Sequence, residues 1–505
     1  MFNSRFSGYN EVVNRAGAER ALPHPTFCKE ETKMKKAIAL AMTAVMAATT
    51  LAGCSGAGSE SASVSDSTST SATAEAADPS KPYAGVTLHY AATDTEATGP
   101  EMQDLVAMVK DKTGINIEFT IIPKADTGEV DKRLVSLQAG DELDLIYGTT
   151  AQLKVFYNAG VLTPVDELAA AANYDMKAVF GNNLPTYDDG LVYGLPAFND
   201  IWCTFINTKV FEEAGVEVPS AEDWTWDKYV ETAQKLTNAD EEIYGSLMLD
   251  YDTYNFMYAL QNGAQHYKED GTANYDDPRF KESVEFFYSL GNDLKIQPDI
   301  TTYKAGVYPW NAFTSTGVAN EDGSYDKAQF GMFVCGGWVA SMLPDTEKYP
   351  RDWTCTILPL PYPEGQEPST LAVTGCYAIP ATSKNKEAAF EALKCIAENQ
   401  YTLGYGRVPA RVDLTDEEKL DYINNNMVPT YAETDGISAE ALQAAWFDEN
   451  RAILSEKIVG TADTTISQIW TDETQLYGMG QQDIDTTMKN LQDRSNAAIQ
   501  EADIS

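Results

Sequence analysis

Two hydrophobic rhythms take turns between residues 86 and 147. Val86 to Ala92 is a short, mainly apolar run that predicts a strand. Met102, Leu105, Val106 and Val109 then recur at three and four residues, the spacing of one helical face. Gly114 is placed to end that helix as a cap. Ile115 to Ile122 alternates apolar and polar positions and predicts a second strand. A helix follows over about 129–139, stopped by Gly140, and Leu143 to Tyr147 predicts a third strand. This order predicts an α/β fold with a mostly parallel sheet and helices on its faces. Ligands of such sheets bind beyond the carboxyl ends of strands, here Ala91 to Thr95 and Tyr147 to Thr150. The middle of the chain is more helical. Thr225 caps a helix whose first turn holds Asp227. Further helices are predicted at 252–262, at 278–292 and at 384–399. In the second of these Phe280, Val284, Phe287 and Leu290 share a face, and in the third Ala389, Leu393 and Ile396 point inward. Asp270-Gly271 and Asn274 to Pro278 read as turns, and the C-terminal stretch as mainly helical with polar faces.

Ahead of this pattern, Lys35 and Lys36 precede an apolar run from Ala37 to Thr50, closed by Leu51-Ala52-Gly53-Cys54. That is the layout of a secretory signal. Its last four residues resemble the lipobox of bacterial lipoproteins, which implies that Cys54 is lipidated and becomes the mature first residue. The apolar run is shorter than the roughly 20 residues that span a bilayer. A chance apolar helix opening a domain is the alternative, and the Ser/Gly/Ala tract that follows at once argues against it. The expected division is an upstream extension at 1–33 from a misassigned start, a lipoprotein signal at 34–53, and the lipidated Cys54 with a flexible Ser/Ala/Thr linker over 54–82. The expected location is the extracellular face of the bacterial cell membrane.

Composition narrows the chemistry. The 505 residues suffice for two or three domains. Acidic residues number 76 against 36 basic, a formal charge of −40, which argues against nucleic acid and against anionic lipid as partners. With 27 Tyr, 18 Phe and 8 Trp, ring surfaces for stacking are plentiful. Cys203, Cys335, Cys355, Cys376 and Cys395 follow the targeting region, with no CxxC, so buried free thiols are expected and no metal site or cofactor. Nucleophile machinery is poorly represented: there is no HExxH, no Gly-x-Ser-x-Gly and no Walker loop.

Several segments in order carry a resemblance. Gly190 to Pro196 reads as a hairpin; Phe205-Ile206-Asn207, Phe211 to Gly215 and Pro219 form one run; Thr225-Trp226-Asp227 to Leu236-Thr237 another. Phe313 to Ala319 is a poorer match, and Gly336-Gly337-Trp338, Pro359 to Pro363, Ala378 to Asn385 and Gly406-Arg407-Val408-Pro409 complete the series. Together they resemble the family-1 extracellular solute-binding proteins of bacterial ABC importers, the maltose-binding-like group, with Ile206 at the usual Tyr position. The resemblance implies a two-lobed periplasmic-binding-protein-like fold with discontinuous lobes and a ligand cleft at the hinge. Lobe one would be 83–199 plus 371–410, lobe two 200–370 plus 411–505. It further implies a monomer that closes on a small-molecule ligand and delivers it to the permease, without being an enzyme.

The ligand is expected to be a carbohydrate, held by aromatic platforms and hydrogen-bonding Asp, Asn and Arg. Trp338 follows two glycines and is the first platform candidate; Tyr254 matches a platform position, with Tyr251 and Phe256 as competitors. Asp200 lies at the first hinge beside Asn199 and Trp202. Arg407, in a Gly-rich turn, either forks onto ligand hydroxyls or an acid group, or pairs with a carboxylate. Tyr147 and Thr149 end the third strand, Trp310 follows Pro309, and Tyr377 sits just after the second crossing. For each ring, packing in the core is the competing role. The rival functions are an extracellular glycoside hydrolase, which needs only a carboxylate pair, and a receptor for a non-sugar solute.

Overall fold

The computed structural model describes residues 81–123, 131–187, 189–306, 308, 311–314, 329–448 and 450–504. The expectations for 1–33, for the signal at 34–53, for Cys54 and nearly all of its linker, and for Trp310 lie outside the described residues.

The alternation between 86 and 147 folds into strand β1 (Thr87–Ala92), a helix (Pro100–Thr113), β2 (Asn116–Ile121), a helix (Lys132–Ala139) and β3 (Leu145–Thr149). Gly114 and Gly140 end the two helices at φ of +76° and +87°, where a Cβ would clash with the backbone. β1 pairs in parallel with both β2 and β3. Beyond this trio the expectation of a mostly parallel sheet fails. β4 (Leu195–Ile201) runs, through Trp202, directly into β5 (Cys203–Asn207). β6 (Ile243–Leu247), β7 (Gln329–Cys335) and β8 (Cys355–Pro359) follow, and the chain returns along β9 (Ser369–Ala378). A strand that returns beside the one that left must run against it. β9 is therefore antiparallel to β4 and also to β3, with Phe198 opposite Gly375 and Tyr147 opposite Tyr377.

The outcome is two sheets. The larger has the order β10-β4-β9-β3-β1-β2, where β10 is Val408–Pro409; β11 (Ala452–Ser455) pairs with the start of β9. The smaller has the order β6-β7-β5-β8. This is the two-lobed α/β fold. β11 comes from the C-terminal stretch and pairs in parallel with Ser369–Ala372, the part of β9 nearest the passage between sheets.

Each sheet has its own apolar core. Successive side chains of a strand point to opposite faces. Accordingly Tyr90, Phe198 and Tyr377 enter one cluster beside the helices Pro100–Thr113 and Lys386–Asn399, while Ala91, Ile146, Cys376 and Ala378 enter another beside the helix Thr150–Asn158. The smaller sheet packs against Trp226–Leu236, Asp252–Gln261 and Pro278–Asn292, and its cluster continues into the C-terminal helices through Trp446 and Trp470. Thr225 caps its helix by accepting from the Lys228 amide. The five cysteines after the targeting region are buried free thiols. Among the described residues no helix is long and apolar enough to cross a membrane.

Candidate ligand-binding cleft

Past the carboxyl end of β1 the chain makes two short helical starts. Thr93 and Glu96 cap the first reciprocally: the Glu96 amide donates to Thr93 Oγ1 at 3.2 Å and the Thr93 amide to Glu96 Oε2 at 2.7 Å. Gly99 leaves the helical conformation, and Pro100 at the next helix's first position sets the backbone angle needed there. Glu101 thus stands in a helix's first turn, where the positive end of the peptide dipoles favours a carboxylate.

On the larger sheet, one face aligns four rings. Tyr147 stacks on Phe198 with centroids 6.1 Å apart, and lies 5.3 Å from Tyr377; Tyr90 is 6.1 Å from Tyr377. Arg407 is carried over this floor by a turn with Gly404 at φ +83° and Gly406 at φ +66°, and is held there by β10, whose Val408 pairs with Asn199. Its guanidinium carbon is 4.3 Å from the Phe198 ring centre. Nε and Nη2 donate to the two Glu101 oxygens at 2.9 and 2.8 Å, and Nη1 donates to Asp200 Oδ1 at 3.1 Å. Burial lowers the pKa of such a cation, but Asp200 and Glu101 outweigh it and hold Arg407 above its ordinary value. Burial raises the Asp200 pKa, and Arg407 only partly opposes this. The Tyr147 hydroxyl is also raised, by burial and then by the Asp200 charge.

The facing wall comes from the segment after β7. Ser341, Met342, Pro344, Asp345, Lys348 and Tyr349 close a cavity of about 640 Å³ over the ring floor, with Gln400, Tyr405 and Thr430 at one side. The volume falls within the range of small-molecule sites, about 300–1,000 Å³. Rings for apolar C–H faces and carboxylates for hydroxyls are what a polyhydroxylated solute requires. On the sheet's other face a second opening of about 1040 Å³ lies between Thr150, Lys154, Tyr157 and Tyr187 and the segment Val459–Ala462.

The structure gathers three of the predicted residues, Tyr147, Tyr377 and Arg407, into the first cavity, with Asp200 one bond behind Arg407. Of the others, Trp310 is outside the described residues and the rest lie elsewhere. Asn199 is buried and accepts from Thr374 Oγ1 at 2.7 Å. Trp202 is buried at the passage between sheets, where Nε1 donates to Glu456 Oε2 at 2.7 Å. Tyr254 packs edge-on against Trp202 and donates to the Val334 carbonyl at 2.6 Å; Phe256 is also buried, and Tyr251 is 40% exposed. Thr149 caps the helix Thr150–Asn158 by accepting from the Gln152 amide. Trp338 is half-buried against the smaller sheet's core, three residues before the facing wall, and its carbonyl accepts from Ser341 Oγ at 2.7 Å.

Tyr90, Glu96, Glu101, Phe198 and the 341–349 wall were not anticipated. Glu101 had a signal, an acid directly after Pro100 at a helix start. Phe198 had another: it lies two positions from Asp200 and so shares that residue's face.

The comparisons with known proteins agree with this architecture. The profile of the family described as bacterial extracellular solute-binding protein matches residues 93–402. A protein of Brucella abortus (strain 2308) is 25% identical over 356 residues, 68% of this chain and 80% of that protein. Among solved structures, the ABC substrate-binding protein of Listeria monocytogenes in complex with cycloalternan is 19% identical. It superposes with a TM-score of 0.66 over 82% of this chain and 99% of its own. A sugar transporter of Rhizobium etli in an open conformation is 20% identical, with a TM-score of 0.63 over 81% of this chain and 98% of its own. With the matched segment running from the end of β1 to just short of Arg407, and two sheets enclosing a cleft, the chain belongs to the bacterial extracellular solute-binding protein family.

Proposed function

We propose that this protein is the membrane-tethered solute-binding subunit of an ABC importer, which captures a carbohydrate, an oligosaccharide, and delivers it to the permease. The observation that carries the reading is the cleft itself: a floor of four rings with Arg407, Glu101 and Asp200 on one side, and the 341–349 wall on the other. A sugar lying on the half-buried Tyr147 ring, which Tyr377 backs from the core, would exchange hydrogen bonds with Glu96, Glu101 and Asp345 and touch both walls at once. A ligand that contacts both sides only when they approach favours the closed form by that difference in contact. The lobes that move are 83–199 plus 371–410 and 200–370 plus 411–505, joined where Trp202 separates β4 from β5. The cycloalternan-bound Listeria protein supports a saccharide as the ligand class. Cys54 carries the lipid that keeps a monomer at the extracellular face of the membrane.

The test is a thermal-shift screen of the purified full chain against mono- and oligosaccharides. A ligand at about a hundred times its dissociation constant stabilises by about 2.7 kcal/mol. The expected result is a saccharide that raises the melting midpoint, is recovered intact, and loses its effect in Tyr147→Ala. A saccharide cleaved during incubation would overturn the binding reading in favour of hydrolysis. For the anchor, Cys54→Ser is expected to release the protein from the membrane fraction; retention in that fraction would overturn it.

A further inference from the structure

A guanidinium in a ligand cleft is the usual reader of a carboxylate, because its planar fork matches two oxygens. Arg407 already has that fork filled. Glu101 takes Nε and Nη2, Asp200 takes Nη1, and the Phe198 ring covers one face at 4.3 Å. Gln400 Nε2 adds a donor to Glu101 Oε1 at 3.1 Å, so the carboxylate that occupies the fork is itself held in place. Both Arg407 and Glu101 are mostly buried, with side-chain exposures of 19% and 22%.

The rest of the cavity is acidic. Glu96, Glu101 and Asp345 line it, and Asp200 stands behind Arg407; the cations lining it are Arg407 and Lys348. Glu96 uses Oε2 on the Thr93 amide and hydroxyl. Lys348 sits exposed at the rim, its ammonium 5.3 Å from the Tyr349 ring centre. Arg133, under the floor, donates to the Tyr147 carbonyl and is paired with Asp131. Were Asp200 to hold a proton, the groups lining the cavity would still carry more negative than positive charge.

We infer that the cleft selects neutral and amino saccharides and rejects uronates and other anionic sugars, with Arg407 serving as an internal brace for Glu101 and Asp200. This rests on the carbohydrate reading above. A ligand carboxylate entering here meets fixed carboxylates at short range and finds no vacant fork, whereas hydroxyls and ammonium groups meet acceptors.

The experiment is calorimetric titration of the full chain with matched trimers: neutral maltotriose, cellotriose and arabinotriose, the glucosamine trimer, and trigalacturonate. The expected result is binding of a neutral or amino trimer at least about tenfold tighter than trigalacturonate, a gap of about 1.4 kcal/mol. Binding of the amino trimer is also expected to weaken as salt rises, while that of a neutral trimer does not. Trigalacturonate binding as tightly as the best neutral trimer would overturn the inference and leave the carbohydrate reading intact. Binding of no trimer of either charge would overturn the carbohydrate reading, and this inference with it. The double variant Glu101→Gln/Asp200→Asn, shown folded by circular dichroism, frees the fork and is expected to gain trigalacturonate binding. A folded double variant that still rejects trigalacturonate would overturn the role given to Arg407.

Discussion

At the scale of single residues, two buried groups set measurable costs. His266 is enclosed by Phe256, edge-on at 4.6 Å, and by Phe280 at 5.6 Å, with Nδ1 3.3 Å from the Tyr275 hydroxyl. Burial pulls its pKa from 6.5 down to about 3. As pH falls the unfolded chain takes up this proton near 6.5, while the native protein resists until about 3. The contribution to stability is therefore complete above 6.5 and is lost progressively down to about 3. Between pH 6.5 and 5 the loss is about 2 kcal/mol. His266→Phe removes it, so urea unfolding at pH 7 and pH 5 should differ by about that much less than in the wild type; equal differences would show that His266 does not drive the acid limb. Trp202 sets the other cost. Trp202→Phe leaves the buried Glu456 carboxylate without its indole donor, retaining Lys457 at 2.6 Å. The expected destabilisation is about 2 kcal/mol in urea, with the slope unchanged.

At the scale of elements, β9 is the informative strand. Its Gly375 lies opposite Phe198, and a Cβ built there would come within 2.5 Å of the Phe198 ring. The missing side chain is what lets that ring lie across the strand and join the cleft floor. Gly375→Ala is expected to cost about 2 kcal/mol and to weaken saccharide binding with it, because the ring must leave the floor. Stability measured by denaturant and affinity measured by calorimetry should fall together; an unchanged affinity would separate Phe198 from the ligand. The helices and their ends were readable beforehand, since spacing, caps and stop glycines act within a few residues: Thr225, Gly114 and Gly140 do what their types suggest. β11 was not readable. It has four residues, three of them exposed, and its pairing with Ser369–Ala372 is remote in sequence.

At the scale of the whole molecule, two sheets share the extended passage at Trp202 and the return along β9. A saccharide bridging the ring floor and the facing wall is expected to slow amide hydrogen exchange in 93–102 and 341–349 together, leaving 439–446 unchanged. Slowing confined to one of the two walls would contradict closure. Periodicity, glycine stops and short motifs were enough to read the strand–helix alternation, the α/β class, the buried free cysteines and the family resemblance. Each is a local property, or a sum of local ones in order. The mixed direction of the larger sheet was not legible, because it depends on the chain leaving for a second sheet and returning beside its own exit. Nor was the make-up of the cleft. Trp338 and Tyr254 read as platforms from their motifs; the cavity proposed for the ligand is lined by Tyr90, Tyr147, Phe198 and Tyr377 and braced by Glu101. Those residues come from β1, β3, β4, β9 and a helix start, and no spacing along the chain encodes their meeting. The sequence shows which side chains have suitable chemistry; strand register and the path of the return decide which of them share a face, because pairing distant segments is a property of the fold and not of any window of residues.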